Sequence, residues 1–166
     1  EVTVKPYTNK QCSHEAQPFP VYLESKKKLY IPKYYGISNF GKPLIDKTSD
    51  GLPIDIKFKF DLRPKQVPVA KKFLEEANNI GGGLISVPCG FGKTVLALYI
   101  LSKLKKKAIV IVHKEFLMDQ WKERIEFFLP DARIGKIQGN VIKIKDKDIV
   151  LGMLQSISMR DYEEDT

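Results

Sequence analysis

The chain has 166 residues, of which 43% are hydrophobic, and its 28 basic side chains outnumber 20 acidic ones for a formal charge of +8 at pH 7. That length supports one substantial core with a small appended module and excludes a pair of large domains, while the charge favours polyanionic partners without specifying one. No apolar run reaches the roughly 18 to 20 residues of a spanning helix, and the first residues are polar, so no membrane partner and no signal peptide are predicted.

The two cysteines, Cys12 and Cys89, lie in a polar lead-in and in a glycine-rich turn. A disulfide between them would tether that turn to a tail, so an intracellular reducing compartment is the expectation. Cys12 with His14 makes at most half of a metal site, and with nothing nearby to complete it the two read as ordinary surface residues. The chain opens on Glu1, which reads as a start inside a longer protein.

Residues 1 to 20 carry Pro6, Pro18 and Pro20 and read as an irregular lead-in. Val21 to Glu24 and Leu29 to Ile31, around a Ser-Lys turn, read as two short strands. The stretch Tyr34 to Gly41 continues in the same aromatic, glycine-punctuated style, and Ile54 to Phe60 alternates apolar with polar like a half-buried strand. These features predict a small β-rich module over residues 1–60. Its Tyr30, Tyr34, Tyr35 and Phe40, set among Lys26, Lys27, Lys28, Lys33 and Lys42, suit a base-stacking surface or, more commonly, a small core ringed by solvated lysines.

From Asp61 the pattern becomes alternating strands and helices. Pro64 opens a helix carrying Val67, Ala70, Phe73, Leu74 and Ala77 at helical spacing, which Asn78, Asn79 and Gly81 to Gly83 terminate. A strand at Leu84 to Val87 follows, then the turn Pro88-Cys89-Gly90-Phe91-Gly92-Lys93-Thr94 and a helix from Val95 to about Leu104 closed by Lys105, Lys106 and Lys107. Ala108 to Val112 has the β-branched character of a central parallel strand. Phe116, Leu117, Gln120, Trp121, Ile125 and Phe128 trace an amphipathic helix that Pro130 stops, with Trp121 on its core face. Ile134 to Gln138, Val141 to Ile144 and Asp148 to Gly152 read as further strands. The fold class predicted is therefore α/β: a P-loop three-layer domain over residues 61–166 with a mostly parallel sheet.

The turn carries the chemistry. Gly90 and Gly92 lack side chains that would stop backbone N–H groups from converging on an anion, and the helix beginning near Lys93 adds the positive end of its dipole. Lys93 is placed to reach β and γ phosphates, and the Thr94 hydroxyl to ligate Mg2+. The predicted ligand is a Mg-nucleoside triphosphate, although Val87, followed by Pro88, stands where the strict motif begins with glycine.

Several stretches resemble superfamily 2 helicases in order and spacing. Leu62-Arg63-Pro64-Lys65-Gln66 resembles the adenine-recognising Q motif region, and Pro88 to Thr94 is similar to motif I of the branch holding XPB-like helicases and the transcript-release helicases of large eukaryotic DNA viruses. Val110 to Lys114, with Leu117, Gln120 and Trp121, looks like motif Ia, Gly135 to Gly139 stands in the place of the following turn, and Asp148 to Ser156 looks like motif Ic.

The resemblance implies part of the first RecA-like lobe of an ATP-dependent helicase or translocase. It assigns ATP to Arg63, Gln66, Pro88, Cys89, Gly90, Phe91, Gly92, Lys93, Thr94 and Val95. Lys93 and Thr94 are the catalytic contributors and Thr94 the metal ligand, while His113, Lys114, Gln155 and Ser156 face a nucleic-acid backbone. The implied partner is DNA, with RNA or an RNA–DNA hybrid as alternatives, and transcription or replication machinery around it. For a viral member the implied location is the cytoplasmic replication site or the virion. The family's Asp-Glu motif and second lobe do not occur in this sequence: the acids from Asp161 to Asp165 follow no apolar strand and read as a solvated linker. Hydrolysis is therefore expected only in a longer parent. Two other readings stay open, another P-loop NTPase and a non-enzymatic nucleic-acid-binding module.

Overall fold

The computed structural model describes residues 2–7 and 17–159; the Cys12 and His14 reading and the acidic C-terminal stretch lie outside them. The chain divides into two compact units between Thr48 and Ser49.

The first unit holds two antiparallel strand pairs, β1 (Thr3–Val4) with β2 (Phe19–Pro20) and β3 (Leu23–Glu24) with β4 (Leu29–Tyr30). The second pair is the predicted hairpin, closed by a Ser25 hydroxyl that accepts the Lys28 N–H at 3.1 Å. The aromatic stretch after it is a helix, α1 (Lys33–Phe40), and not β structure. Pro32 presets its first turn, and Gly41 ends it at φ +80. No described residue of this unit is fully buried. The expected small core is absent from them: Tyr30, Tyr34 and Phe40 are exposed.

In the second unit, residues 54–60 do not form the predicted strand. They run as a strap whose alternation serves the helical layer. Ile56 is 4% exposed inside the main core, and Phe58 stacks on Phe128 and meets Tyr99 edge-on, each at 5.4 Å between ring centroids. Backbone bonds fasten it: Lys107 N–H to the Leu52 carbonyl at 2.7 Å, Ile54 N–H to that of Lys105 at 3.0 Å, and Lys59 N–H to that of Phe128 at 3.0 Å. The break between units thus falls a dozen residues before the change of pattern at Asp61.

A short 3-10 turn (Pro64–Gln66) feeds α2 (Val67–Ile80), which stops at Gly81 in the left-handed conformation. Leu84 to Val87 carries no regular structure and belongs to no sheet, and Leu84 is 94% exposed. A β-strand exists only through a partner, and none of the described strands lies alongside it. The helix α3 (Lys93–Leu104) follows and ends on Lys105 at φ +52.

The remaining strands are β5 (Ala108–Val112), β6 (Ile134–Gln138), β7 (Val141–Lys143) and β8 (Ile149–Met153). With helices α4 (Glu115–Phe128) and α5 (Leu154–Ser158) they complete the unit. Sheet order is β5-β8-β6-β7; β5, β8 and β6 are parallel, and β7 returns antiparallel. The sequence predicts a central place for β5, but β8 holds it. Flanked on both sides, β8 is buried throughout, whereas β5 has one open edge with Ile109 and Ile111 half exposed.

Helix α3 is apolar all round because it serves two clusters: Leu98 joins Val112, Met118, Ile125, Ile149 and Leu151, while Leu96 and Ile100 pack with Ala70. On α4 the buried stripe is Met118 and Ile125 with Leu117, Trp121 and Phe128 partly covered, so Trp121 serves the core as predicted. Phe116 is exposed instead, since two positions before Met118 it falls on the opposite side of the helix.

Candidate nucleotide site and nucleic-acid face

The turn before α3 is built by its glycines. Gly90 has φ +73 and Gly92 φ +89, the left-handed region that a side chain disfavours. A Cβ on Gly90 would meet open space, so its conformation is the constraint there; a Cβ on Gly92 would also lie 2.7 Å from Nε2 of Gln66. The Phe91 N–H closes the turn on the Pro88 carbonyl at 3.4 Å, and the first helical bond of α3 runs from the Leu96 N–H to the Gly92 carbonyl. Helix geometry leaves the N–H groups of Lys93, Thr94 and Val95 directed out of the helix end. Lys93 is exposed and Thr94 half-buried beside it. These are the features a triphosphate requires: converging donors, a positive helix terminus, a reachable ammonium and a hydroxyl one residue on.

Gln66 turns inward to this loop and is only 2% exposed. Its Oε1 accepts the Arg63 N–H at 3.0 Å, and its Nε2 donates to the Phe91 carbonyl at 2.9 Å and, at 3.4 Å, to that of Gly92. The residue that the resemblance assigns to the adenine edge therefore has its amide bonded to the phosphate-loop backbone. Phe91 is held from the same side: its ring packs on the Ala70, Leu96 and Ile100 cluster, and the Lys65 ammonium lies 5.2 Å from its centroid. Pro88 and Cys89 are exposed on the outer side of the turn, the cysteine as a free thiol, and Val95 is half-buried in the first turn of α3.

The second set of residues gathers at the carboxyl ends of the parallel strands. Because Val112 pairs with Met153, and Ile137 with Gly152, the segments leaving β5, β8 and β6 emerge side by side. There Gln155 Nε2 donates to the His113 carbonyl at 3.1 Å, and the Ser156 hydroxyl accepts the Gly139 N–H at 2.8 Å. His113 and Lys114 are exposed, with Lys114 capping α4. All four predicted residues thus share one face. Sequence reasoning missed the Glu115 carboxylate, which accepts Gln138 Nε2 at 3.0 Å across this face. Two polar residues 23 positions apart carry no sequence signal that they meet.

At the opposite end, Arg133 makes a two-pronged bond to Asp148: Nε to Oδ2 at 3.0 Å and Nη2 to Oδ1 at 2.8 Å, with the Arg133 N–H adding another to Oδ2. The guanidinium holds the Asp148 carboxyl below its ordinary value of 3.8 against the opposing effect of burial. This pair locks the starts of β6 and β8 and is structural. Among the described residues no cluster of His, Cys, Asp or Glu could hold a metal by itself, and no helix is long and apolar enough to cross a membrane.

Comparison with known proteins agrees with this geometry. The family model ResIII, "Type III restriction enzyme, res subunit", matches residues 59–166. A putative ATP-dependent RNA helicase of Acanthamoeba polyphaga mimivirus is 36% identical over 161 residues, 96% of this chain but 30% of that protein. A DNA 3'-5' translocase of Sulfurisphaera tokodaii is 37% identical over 102 residues, covering 61% of this chain and 22% of its own. Among solved structures, the Sulfolobus solfataricus SWI2/SNF2 ATPase core in complex with dsDNA aligns with a TM-score of 0.54 at 26% identity, over 69% of this chain and 25% of that one. The chain thus spans less than a third of the length of these relatives. A family match over residues 59–166, most of the second unit, and a RecA-like ATPase core among its structural neighbours lead to one assignment: this chain belongs to the ResIII family and carries part of a superfamily 2 helicase ATPase core.

Proposed function

We propose that this chain supplies the ATP-binding loop and one nucleic-acid-facing edge of an ATP-driven helicase or translocase. The observation that carries the reading is the Gly90 to Thr94 turn. Its two left-handed glycines sit at the head of an apolar helix, and Gln66 braces the turn from beneath. In this reading Lys93 and the N–H groups of Lys93, Thr94 and Val95 hold the phosphates, and Arg63 lies on the adenine side. The Thr94 hydroxyl would hold Mg2+, whose contribution is to neutralise phosphate charge. His113, Lys114, Gln155 and Ser156 offer a cation, a hydroxyl and backbone donors, which suit phosphate contacts and not base reading. The relatives' names, RNA helicase and DNA translocase, leave the polynucleotide open; we assign DNA, and place hydrolysis in the whole protein and not in these 166 residues.

The test is Lys93→Ala in the full-length protein. ATPase activity is expected to fall by about a hundredfold or more, while DNA affinity changes little, because one lysine among many contributes little to counterion release. A uniform loss of DNA binding with no ATPase activity to lose would instead assign the loop to backbone phosphates and refute the motor reading.

A further inference from the structure

Resting on the reading of Gly90 to Thr94 as a phosphate loop, we infer that Phe91 and Lys65 are positioning residues that hold the loop in its binding shape and tie it to the Arg63–Gln66 turn.

The argument starts from backbone freedom. Phe91 stands between two glycines, both in the left-handed region. Glycine loses more conformational entropy on ordering than any other residue, so a Gly-x-Gly turn has little intrinsic preference for one shape. The middle residue provides the only side chain in that tripeptide that can anchor it.

Phe91 is anchored by three different interactions. Its ring packs against the cluster of Ala70, Leu96 and Ile100. The Lys65 ammonium lies 5.2 Å from the ring centroid, within range of the π face. Its carbonyl accepts Nε2 of Gln66 at 2.9 Å. Lys65, Gln66 and Ala70 all come from the 3-10 turn and the start of α2, so a single segment grips the loop by side chain and by backbone.

A loop ordered in advance spares the ligand the entropy of ordering it. Loss of an anchor therefore weakens nucleotide binding, and it weakens ground state and transition state alike, so KM rises while kcat holds. A purely structural role for the Phe91 ring predicts something else: a lower melting temperature, with KM unchanged in the protein that remains folded.

Steady-state ATPase kinetics of the full-length protein, with melting curves recorded without nucleotide, separate the two. Phe91→Ala is expected to raise the KM for ATP about tenfold with kcat within about twofold of wild type, and Phe91→Tyr to return KM to within about threefold. Lys65→Gln, on an exposed side chain that the core does not need, is expected to raise KM about threefold, and Lys65→Arg to restore it. The Lys65 pair keeps the inference testable if Phe91→Ala fails to fold.

Wild-type KM in both Phe91→Ala and Lys65→Gln, alongside a Lys93→Ala variant that loses ATPase activity, would overturn the positioning role and leave the phosphate loop standing. Wild-type KM in Lys65→Gln alone, with Phe91→Ala unfolded, also overturns it. A Lys93→Ala variant with normal ATPase activity removes the phosphate-loop reading and this inference together.

Discussion

Replacing Gln66 by Leu and by Glu tests the loop geometry most sharply, because Leu removes both halves of the carboxamide and Glu only its donor. In the native arrangement Oε1 accepts from the Arg63 backbone and Nε2 donates to the Phe91 and Gly92 carbonyls, in a side chain that is almost fully enclosed. Leu keeps the bulk and loses the two short bonds. At about 1 kcal/mol net for each, loop order loses about 2 kcal/mol. Since about 1.4 kcal/mol is a factor of ten, nucleotide affinity should fall about 30-fold. Glu keeps the acceptor facing Arg63 but turns a second oxygen toward two carbonyls that need a donor, and it buries a charge. It should be the worse of the two by a further factor of ten or so.

Titration of the full-length protein with a fluorescent ATP analogue reads the order Gln, Leu, Glu directly, with melting curves as the control for folding. Equal affinity for the Gln and Glu forms would refute the reasoning, since it would mean that no donor is needed at the Phe91 carbonyl.

Three further predictions concern the framework. Asp148→Asn should destabilise the fold by about 1.5–3 kcal/mol at neutral pH, the worth of hydrogen bonds to a charged group, measured by urea unfolding. Because the fold lowers the Asp148 pKa, its stabilisation is complete above the ordinary value of 3.8 and drains away as pH falls through the lower folded-state value. The variant should therefore show a flatter stability profile below about pH 4, and an unchanged profile would contradict the assigned ion pair. Ile56→Ala should cost about 2–4 kcal/mol despite its place in a strap without regular structure, since the side chain is 4% exposed in the main core; a loss below 1 kcal/mol, again by urea unfolding, would deny that the strap belongs to the second unit. Gly135→Ala should disrupt the β6–β7 ladder, because its new methyl would collide with the Lys143 backbone carbonyl; amide exchange in Val141–Lys143 as slow as in the wild type would show that the ladder absorbs it.

What could be read in the sequence follows from local chemistry. The left-handed glycines at 90 and 92, the Pro64 start and Gly81 stop of the helical segment between them, and the β-branched run at Ala108 to Val112 are set by the covalent character of single residues and their immediate spacing. So is the glycine turn at the head of α3, because only glycine and a helix end can expose backbone N–H groups together. The gathering of His113, Lys114, Gln155 and Ser156 on one face was legible too, since parallel strands deliver their carboxyl ends to one edge.

Partnership was not legible. Ile54 to Phe60 alternates as a strand would, yet whether it pairs with another strand or lies on helices depends on what stands opposite, and here that is Phe128 and Tyr99. Leu84 to Val87 has strand composition without a strand beside it, and β5 looks central but sits at an edge, because sheet order is a property of neighbours that the run itself does not encode. Gln66 shows the same division. The resemblance assigned it to an adenine edge, but the direction of its amide, inward to Phe91 and Gly92, was decided by tertiary packing, which buried the side chain and left the loop carbonyls as its partners.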